Sequence, residues 1–324
     1  MKSFEYAAPK NLKEATALLG TRWGDTEILA GGTDLVTCLK QQLIAPRRVV
    51  SLKKVKDLDD IKEKGGALRI GAMVTLAQLA ENSSAKKNFP AIITAIEGIG
   101  SPQLLNAGTV GGELCQRPRC WYFRNGLGLF GKQGDISLVR EGENRYHAIF
   151  GNSGSALFVH PSSLAPALIA LAAEFTVTGP DNKARTIAAA DFFRTPASES
   201  ERETALAPNE ILTEISIPLK GLKNATYEIR HRHGLDWPYV TASVAFAAKG
   251  GTASDARIVL GHVAPVPWSA SGADAALNGT RLDESAAARA GEAAATGAAP
   301  LSGNAYKVTM VKTAVKRAVL AAIA

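Results

Sequence analysis

Two loops constrain this chain more than any other part of its sequence. Ala30-Gly31-Gly32-Thr33-Asp34 follows a short buried strand expected over Glu27 to Ala30. Consecutive glycines let a backbone turn tightly and approach a ligand with no Cβ in the way. The N–H groups of such a turn form a nest for an anion, typically a phosphate. Thr33 adds a hydroxyl. Asn106-Ala107-Gly108-Thr109-Val110-Gly111-Gly112 repeats this chemistry, again without a charged side chain. Two such loops fit the pyrophosphate of a dinucleotide, and two ordinary turns fit them equally well.

A third glycine cluster is a decoy. Gly126-Leu127-Gly128-Leu129-Phe130-Gly131 matches the G-x-G-x-x-G expression. That fingerprint needs a strand before it and an amphipathic helix after it. Here it follows Trp121-Tyr122-Phe123-Arg124-Asn125 and runs into Lys132-Gln133-Gly134-Asp135, with no helical period. No glycine loop ends in Gly-Lys-Ser/Thr, so a P-loop is absent.

The remaining patterning predicts an α+β chain. Asn11-Leu12-Lys13-Glu14 is a capping-box pattern, and Leu12, Ala15, Leu18 and Leu19 make one apolar face ended by Gly20. Strands are expected over Val49 to Leu52 and Leu68 to Ile70. Thr75-Leu76-Ala77-Gln78 opens a second capped helix, and Pro90 to Glu97 is a third. Residues 115 to 155 read as irregular, rich in Arg, Gly and aromatics. Pro161 to Ala172 reads as a helix that Ser162 or Ser163 caps. Phe175 to Thr178 and the region of Ile187 form a hairpin across Gly179-Pro180-Asp181-Asn182. Ile211 to Ile217 is a strand ended by Pro218. Beyond residue 221, Thr226 to Arg232, Val240 to Ala248 and Arg257 to Val263 alternate as antiparallel strands. A helix over Ala286 to Ala295 and a final helix from Ala305 follow. In that last helix Val308, Val311, Val315 and Val319 share a face, with Lys307, Lys312 and Arg317 elsewhere.

Composition narrows the function. Among 324 residues, 37 are Lys or Arg and 30 Asp or Glu, and the net charge of +7 is spread along the chain. That spread argues against a nucleic-acid partner. Aromatics are only 6%, so the core rests on Ala, Val, Ile and Leu. Three cysteines, Cys38, Cys115 and Cys120, are no disulfide scaffold and suit a reducing compartment. No apolar run approaches the roughly 18 residues of a membrane span. The start of the chain carries no signal-peptide pattern. A cytoplasmic location is expected, with periplasmic co-export alongside a partner as the alternative.

At this point the order of the pieces is specific. The strand ending in Ile28-Leu29-Ala30-Gly31-Gly32-Thr33-Asp34-Leu35, then Ser101-Pro102-Gln103, Asn106 and Gly108-Thr109-Val110-Gly111-Gly112, resemble the FAD-binding medium subunit of the xanthine dehydrogenase, carbon monoxide dehydrogenase and aldehyde oxidoreductase family of molybdenum hydroxylases. Glu210 to Pro218 is similar to the strand that closes that family's flavin domain. Thr226 to Val244 is similar to the start of its C-terminal domain. The resemblance implies a two-subdomain vanillyl-alcohol-oxidase (PCMH)-type FAD-binding domain over 1–221, with an insertion at about 115–158. A small α+β C-terminal domain over 222–324 follows. It implies that Ile28, Leu29, Ala30, Gly31, Gly32, Thr33, Asp34, Leu35, Ser101, Asn106, Thr109, Gly111 and Gly112 hold FAD, with Leu212 near the isoalloxazine ring. No His or Cys stands in either loop, so the flavin is expected to be non-covalent. Two departures stand out. Glu113 follows Gly112 where the family usually has Asn, and Ser163 stands where it often has an acid.

The implied activity is electron transfer. An iron–sulfur small subunit passes electrons from a molybdenum-cofactor large subunit to this flavin, which hands them to NAD, a quinone or oxygen. The partners' molybdenum cofactor and 2Fe–2S clusters do not belong to this chain, and no side chain here need be catalytic. The rival readings are a stand-alone FAD oxidase, favoured by a positioned His or Tyr at the flavin, and a flavin-free scaffold.

Cys115-Gln116-Arg117-Pro118-Arg119-Cys120-Trp121-Tyr122-Phe123-Arg124 is the most distinctive segment. In a minority branch of the resembled family an insertion of this type follows the second glycine loop, and in some relatives it holds a 4Fe–4S cluster. Such a cluster normally needs four thiolates. Cys115 and Cys120 alone lie in this segment, and Cys38 is distant in sequence and not expected to join them. No metal is therefore expected, and the segment reads as a structural or interface element anchored by Arg117, Arg119 and Trp121. The histidines His147, His160, His231, His233 and His262 show no metal-ligand spacing and read as solvated or interface residues.

Overall fold

The computed structural model describes residues 1–232 and 236–324. Three sheets organise them. Strands β1 (Glu5–Ala7), β2 (Thr26–Leu29) and β3 (Arg48–Ser51) form a parallel sheet in the order β1-β3-β2. Parallel strands need crossovers, and the helix Leu12–Leu18 provides the first. Asn11 caps it by accepting from Glu14 N at 2.9 Å, while the Glu14 carboxylate takes Asn11 Nδ2 at 2.7 Å and Lys10 N at 2.9 Å. The helix Leu35–Lys40, which the sequence reading missed, leaves β2 through the first glycine loop.

Strands β4 (Ile61–Lys64) and β5 (Ala67–Gly71) begin the second sheet. A two-residue ribbon, β6 (Lys132–Gln133) with β7 (Ile136–Ser137), lies apart from it. Then β8 (Glu174–Thr178), β9 (Ala184–Ala188) and β10 (Ile211–Pro218) complete an antiparallel order β4-β5-β10-β8-β9. The hairpin across residues 179–182 is as expected. The helices Leu76–Glu81, Pro90–Glu97 and Leu164–Ala170 bury Leu79, Ile92, Ile96 and Leu168 with the sheet residues Ile70, Phe175 and Ile215 in one core. Thr75 makes a full capping box with Gln78. At Leu164–Ala170 the cap bond runs from Ala165 N to Ser162 Oγ, at 2.9 Å, and Ser163 makes none.

Strands β11 (Lys223–Ile229), β12 (Val240–Lys249), β13 (Thr252–Gly261) and β14 (Trp268–Ser269) form the third, antiparallel sheet. The helices Ser271–Leu277, Glu284–Ala294 and Tyr306–Ile323 share its core. The alanine stretch packs as closely as its composition suggests. A Cβ on Gly291 would lie 2.5 Å from Lys312 O, so the last two helices touch at their backbones. Among the described residues no helix is long and apolar enough to cross a membrane.

Two expectations need correction. Lys307 was placed off the apolar face of the last helix, yet it is 1% exposed. Its Nζ donates to the carbonyls of His262, Tyr146 and His147 at 2.9, 3.0 and 3.1 Å. Three acceptors at the helix entrance replace water around the ammonium, which a helical wheel cannot show. The histidines are also not generally solvated: His147, His160 and His262 are buried, and His231 is exposed. Burial pulls His160 and His262 down to about 3 and His147 to about 4. All three imidazoles are therefore neutral at pH 7. His233 lies outside the described residues.

Candidate functional site

The two glycine loops meet. A Cβ on Gly31 would lie 2.0 Å from Ala107 O, so only glycine lets the first loop rest on the backbone of the second. Gly32 has φ +82, the left-handed region that favours glycine. A Cβ on Gly111 would lie 2.8 Å from that of Ala72. The glycines thus bring backbone against backbone at the wall of one cleft of about 430 Å³.

The loops differ in what they leave free. Among the described residues, the N–H groups of Gly31, Gly32, Thr33 and Asp34 meet no acceptor in the protein. Unpaired backbone donors side by side are an anion nest. In the second loop most donors are spent, and among the described residues the Thr109 N–H alone between Gly108 and Gly112 meets no acceptor. Gly108 N bonds Leu104 O, Val110 N bonds Val74 O and Gly111 N bonds Ala72 O. Gly112 N bonds Thr109 Oγ1 at 3.1 Å. This stretch, expected as an open loop, is the end of one helix, Pro102–Ala107, and the start of another, Val110–Leu114, docked against the carbonyls of Ala72 and Val74. It offers bare glycine surface with the Thr109 hydroxyl and N–H rather than a second run of free donors.

Ile28, Ala30, Gly31, Gly32, Thr33, Asp34 and Leu35 line the cleft from the first loop. Thr109, Gly111 and Gly112 line it from the second, and Leu212, on β10, closes one side with Ile211. Leu29, Ser101 and Asn106 stand off the cleft wall. Ser101 Oγ accepts from Leu104 N at 3.3 Å, and Asn106 Nδ2 donates to Pro102 O at 2.8 Å, so both serve the helix Pro102–Ala107. The lining also includes Trp23, Arg117, Arg119, Arg202 and Trp237, which sequence reasoning had not assigned to a ligand. Arg202 is paired to Glu27 at 2.6 Å and Arg117 to Glu203 at 3.1 Å.

The two positions that depart from the resembled pattern touch each other. Glu113 lines the cleft, is 8% exposed, and accepts from Ser162 Oγ at 2.6 Å and Ser163 N at 2.9 Å. Burial pushes its carboxyl up to about 7 against these hydrogen bonds. Ser163 Oγ in turn donates to Glu228 Oε1 at 2.9 Å. An acid at position 163 would face the Glu228 carboxylate, which gives the serine a physical reason.

The segment after the second loop folds back over the first. Arg117, Arg119 and Arg124 converge on it. Arg124 Nη1 lies 3.0 Å from Cys38 Sγ, so the cysteine that looked remote in sequence borders this segment after all. Cys120 Sγ lies 3.2 Å from His147 Nε2. Among the described residues no three His, Cys, Asp or Glu side chains gather as metal ligands. The decoy G-x-G-x-x-G does hold an anion, but the protein's own. The N–H groups of Leu129 and Phe130 donate to Glu199 at 2.6 and 3.0 Å.

A nest of free donors, glycine walls and the apolar residues Ile211 and Leu212 give this cleft the chemistry that a phosphate-bearing nucleotide cofactor fits. Residues 2–220 match the FAD binding domain in molybdopterin dehydrogenase, and residues 225–322 match the CO dehydrogenase flavoprotein C-terminal domain. The chain belongs to this family of FAD-binding flavoproteins of molybdenum hydroxylases. It is 33% identical over 282 residues to the aldehyde oxidoreductase FAD-binding subunit PaoB of Escherichia coli (strain K12), covering 86% of this chain and 87% of that one. It is 30% identical over 326 residues to the carbon monoxide dehydrogenase medium chain of Hydrogenophaga pseudoflava, covering 98% and 96%. A structure of the Hydrogenophaga pseudoflava carbon monoxide dehydrogenase superposes with a TM-score of 0.78 at 29% identity over 99% of this chain and 98% of that one. The quinoline 2-oxidoreductase of Pseudomonas putida 86 superposes with a TM-score of 0.77 at 25% identity, covering 100% and 99%.

Proposed function

We propose that this chain is the electron-transferring flavoprotein subunit of a molybdenum hydroxylase complex. A molybdenum-cofactor large subunit and an iron–sulfur small subunit would complete a heterotrimer that oxidises an aldehyde, a purine or a related substrate. FAD, when bound, supplies the redox chemistry. This chain's residues place it. The N–H groups of Gly31 to Asp34 and the Thr109 hydroxyl hold the pyrophosphate, and Ile211 and Leu212 keep water from the ring side of the cleft. The division near residue 221 separates this cradle from the C-terminal sheet.

The observation that carries the reading is the make-up of the cleft. It has an anion nest, yet among the described residues neither histidine nor tyrosine lines it. A positioned histidine or tyrosine is what would favour a stand-alone oxidase; the lining carboxyl pushed up to about 7, Glu113, is already engaged by Ser162 and Ser163. The purified chain is expected to be yellow and to release about one FAD per chain on denaturation. Iron analysis of the same sample should find no cluster. A colourless chain that takes up no added FAD would refute the flavin assignment, and stoichiometric iron lost on Cys120→Ser would refute the metal-free one.

A further inference from the structure

Asp34 ends the first glycine loop and stands at the N-cap of the helix Leu35–Lys40. An aspartate there normally accepts a hydrogen bond from its own helix. This one makes no cap bond. Its carboxylate is turned to the segment 117–124 instead. Oδ2 accepts from Arg117 N at 2.9 Å. Oδ1 lies 2.9 Å from both Arg119 Nη1 and Arg124 Nη1.

The segment is built around that carboxylate. Arg124 also donates from Nε to Pro118 O at 2.7 Å and from Nη2 to Arg117 O at 2.9 Å. It thereby ties the turn to itself as well as to Asp34. The Asp34 and Arg124 side chains are each 13% exposed, so water screens the pair little. Arg119 continues the chain of contacts, with its guanidinium 4.9 Å from the centre of the Trp237 ring. Arg117 and Arg119 line the same cleft as the nest.

One residue therefore belongs to two structures. Its backbone is part of the nest, and its side chain holds the segment. Whatever fixes the loop fixes the carboxylate, and the reverse effect is of equal size by linkage. We propose that Asp34 is a positioning residue that couples FAD binding at the first glycine loop to closure of segment 117–124 over the cleft. This rests on the reading that the loop holds the FAD pyrophosphate.

Amide hydrogen exchange on the full chain, with and without FAD, tests it. FAD should slow exchange about tenfold or more both in 30–36 and in 117–124, with the Arg117 amide the most direct probe. In Asp34→Asn, FAD should still protect 30–36 but no longer 117–124, and its Kd should weaken about tenfold. Arg124→Lys keeps the charge but loses the fork that holds Pro118 and Arg117, so it should behave alike. Unchanged exchange in β8 and β10 shows that the half of each variant carrying the cleft is folded. The proposal is overturned if 117–124 is unprotected by FAD in the parent chain, or stays protected in a folded variant. Loss of protection at 30–36 in the parent chain would overturn the loop assignment with it.

Discussion

At the scale of single residues, the site depends on what is missing from the side chains. Gly31→Ala would drive a Cβ to 2.0 Å from Ala107 O, a backbone atom that no rotamer can move. The expected cost is about 1–3 kcal/mol, read as a lower unfolding midpoint together with loss of most bound FAD. Gly154→Ala has open space around it and should be neutral in both readouts. Glu113 gives a sharper residue-level test. Its carboxyl titrates at about 7 in the fold against 4.5 in the unfolded chain. Between these values the folded state binds the extra proton, so this group makes the fold less stable as pH rises from 4.5 to 7. The buried histidines act in the opposite sense below 6.5, because their pKa values are lowered. The difference between Glu113→Gln and the parent chain isolates the carboxyl. The variant should gain relative stability steadily across that window, as measured by denaturant midpoints at several pH values. A constant difference would show that Glu113 does not titrate there.

Elements show which parts of the fold were written locally. Asn11 and Thr75 announce their helices because a cap is a contact between near neighbours. Pro90–Glu97, the hairpin at 179–182 and three of the four strands of the third sheet were legible from local pattern too, whereas the two-residue β14 was not. The stretch 106–112 was not. Its glycines suggested a loop, but Gly111 and Gly112 enter a short helix capped by Thr109, and the distant carbonyls of Ala72 and Val74 take up the donors of Gly111 and Val110. Lys307 was misread because its partners come from distant parts of the chain, the carbonyls of Tyr146, His147 and His262. Those bonds join the last helix to the segment before Ile149 and to the end of β13. Lys307→Ala should leave the Tyr146 carbonyl and the buried His262 carbonyl without a donor, while His147 O keeps Asn304 Nδ2 at 3.1 Å. Each buried unpaired acceptor costs about 1–3 kcal/mol, so a clear fall in the urea midpoint is expected. A change under about 0.5 kcal/mol would mean that water replaces the ammonium.

For the whole molecule, the glycine loops were the most legible part of the candidate site and the ion pairs around them the least. Gly31, Gly32 and Thr109 reveal themselves by residue type. The pairs Glu113 with Ser163 and Asp34 with Arg124 lie 50 and more residues apart, and nothing in either local pattern names the other. Charge counting could not find them, because Arg117, Arg119, Arg124 and Arg202 are largely neutralised inside the protein by Glu203, Asp34 and Glu27. The account makes the molecule a relay rather than a catalyst with its own substrate. Stopped-flow absorbance at the flavin band tests that most directly, with an oxidisable aldehyde mixed into the assembled complex and, separately, into the isolated FAD-loaded chain. The account predicts rapid bleaching in the complex and none on that timescale in the isolated chain. Equal bleaching of the isolated chain would contradict it.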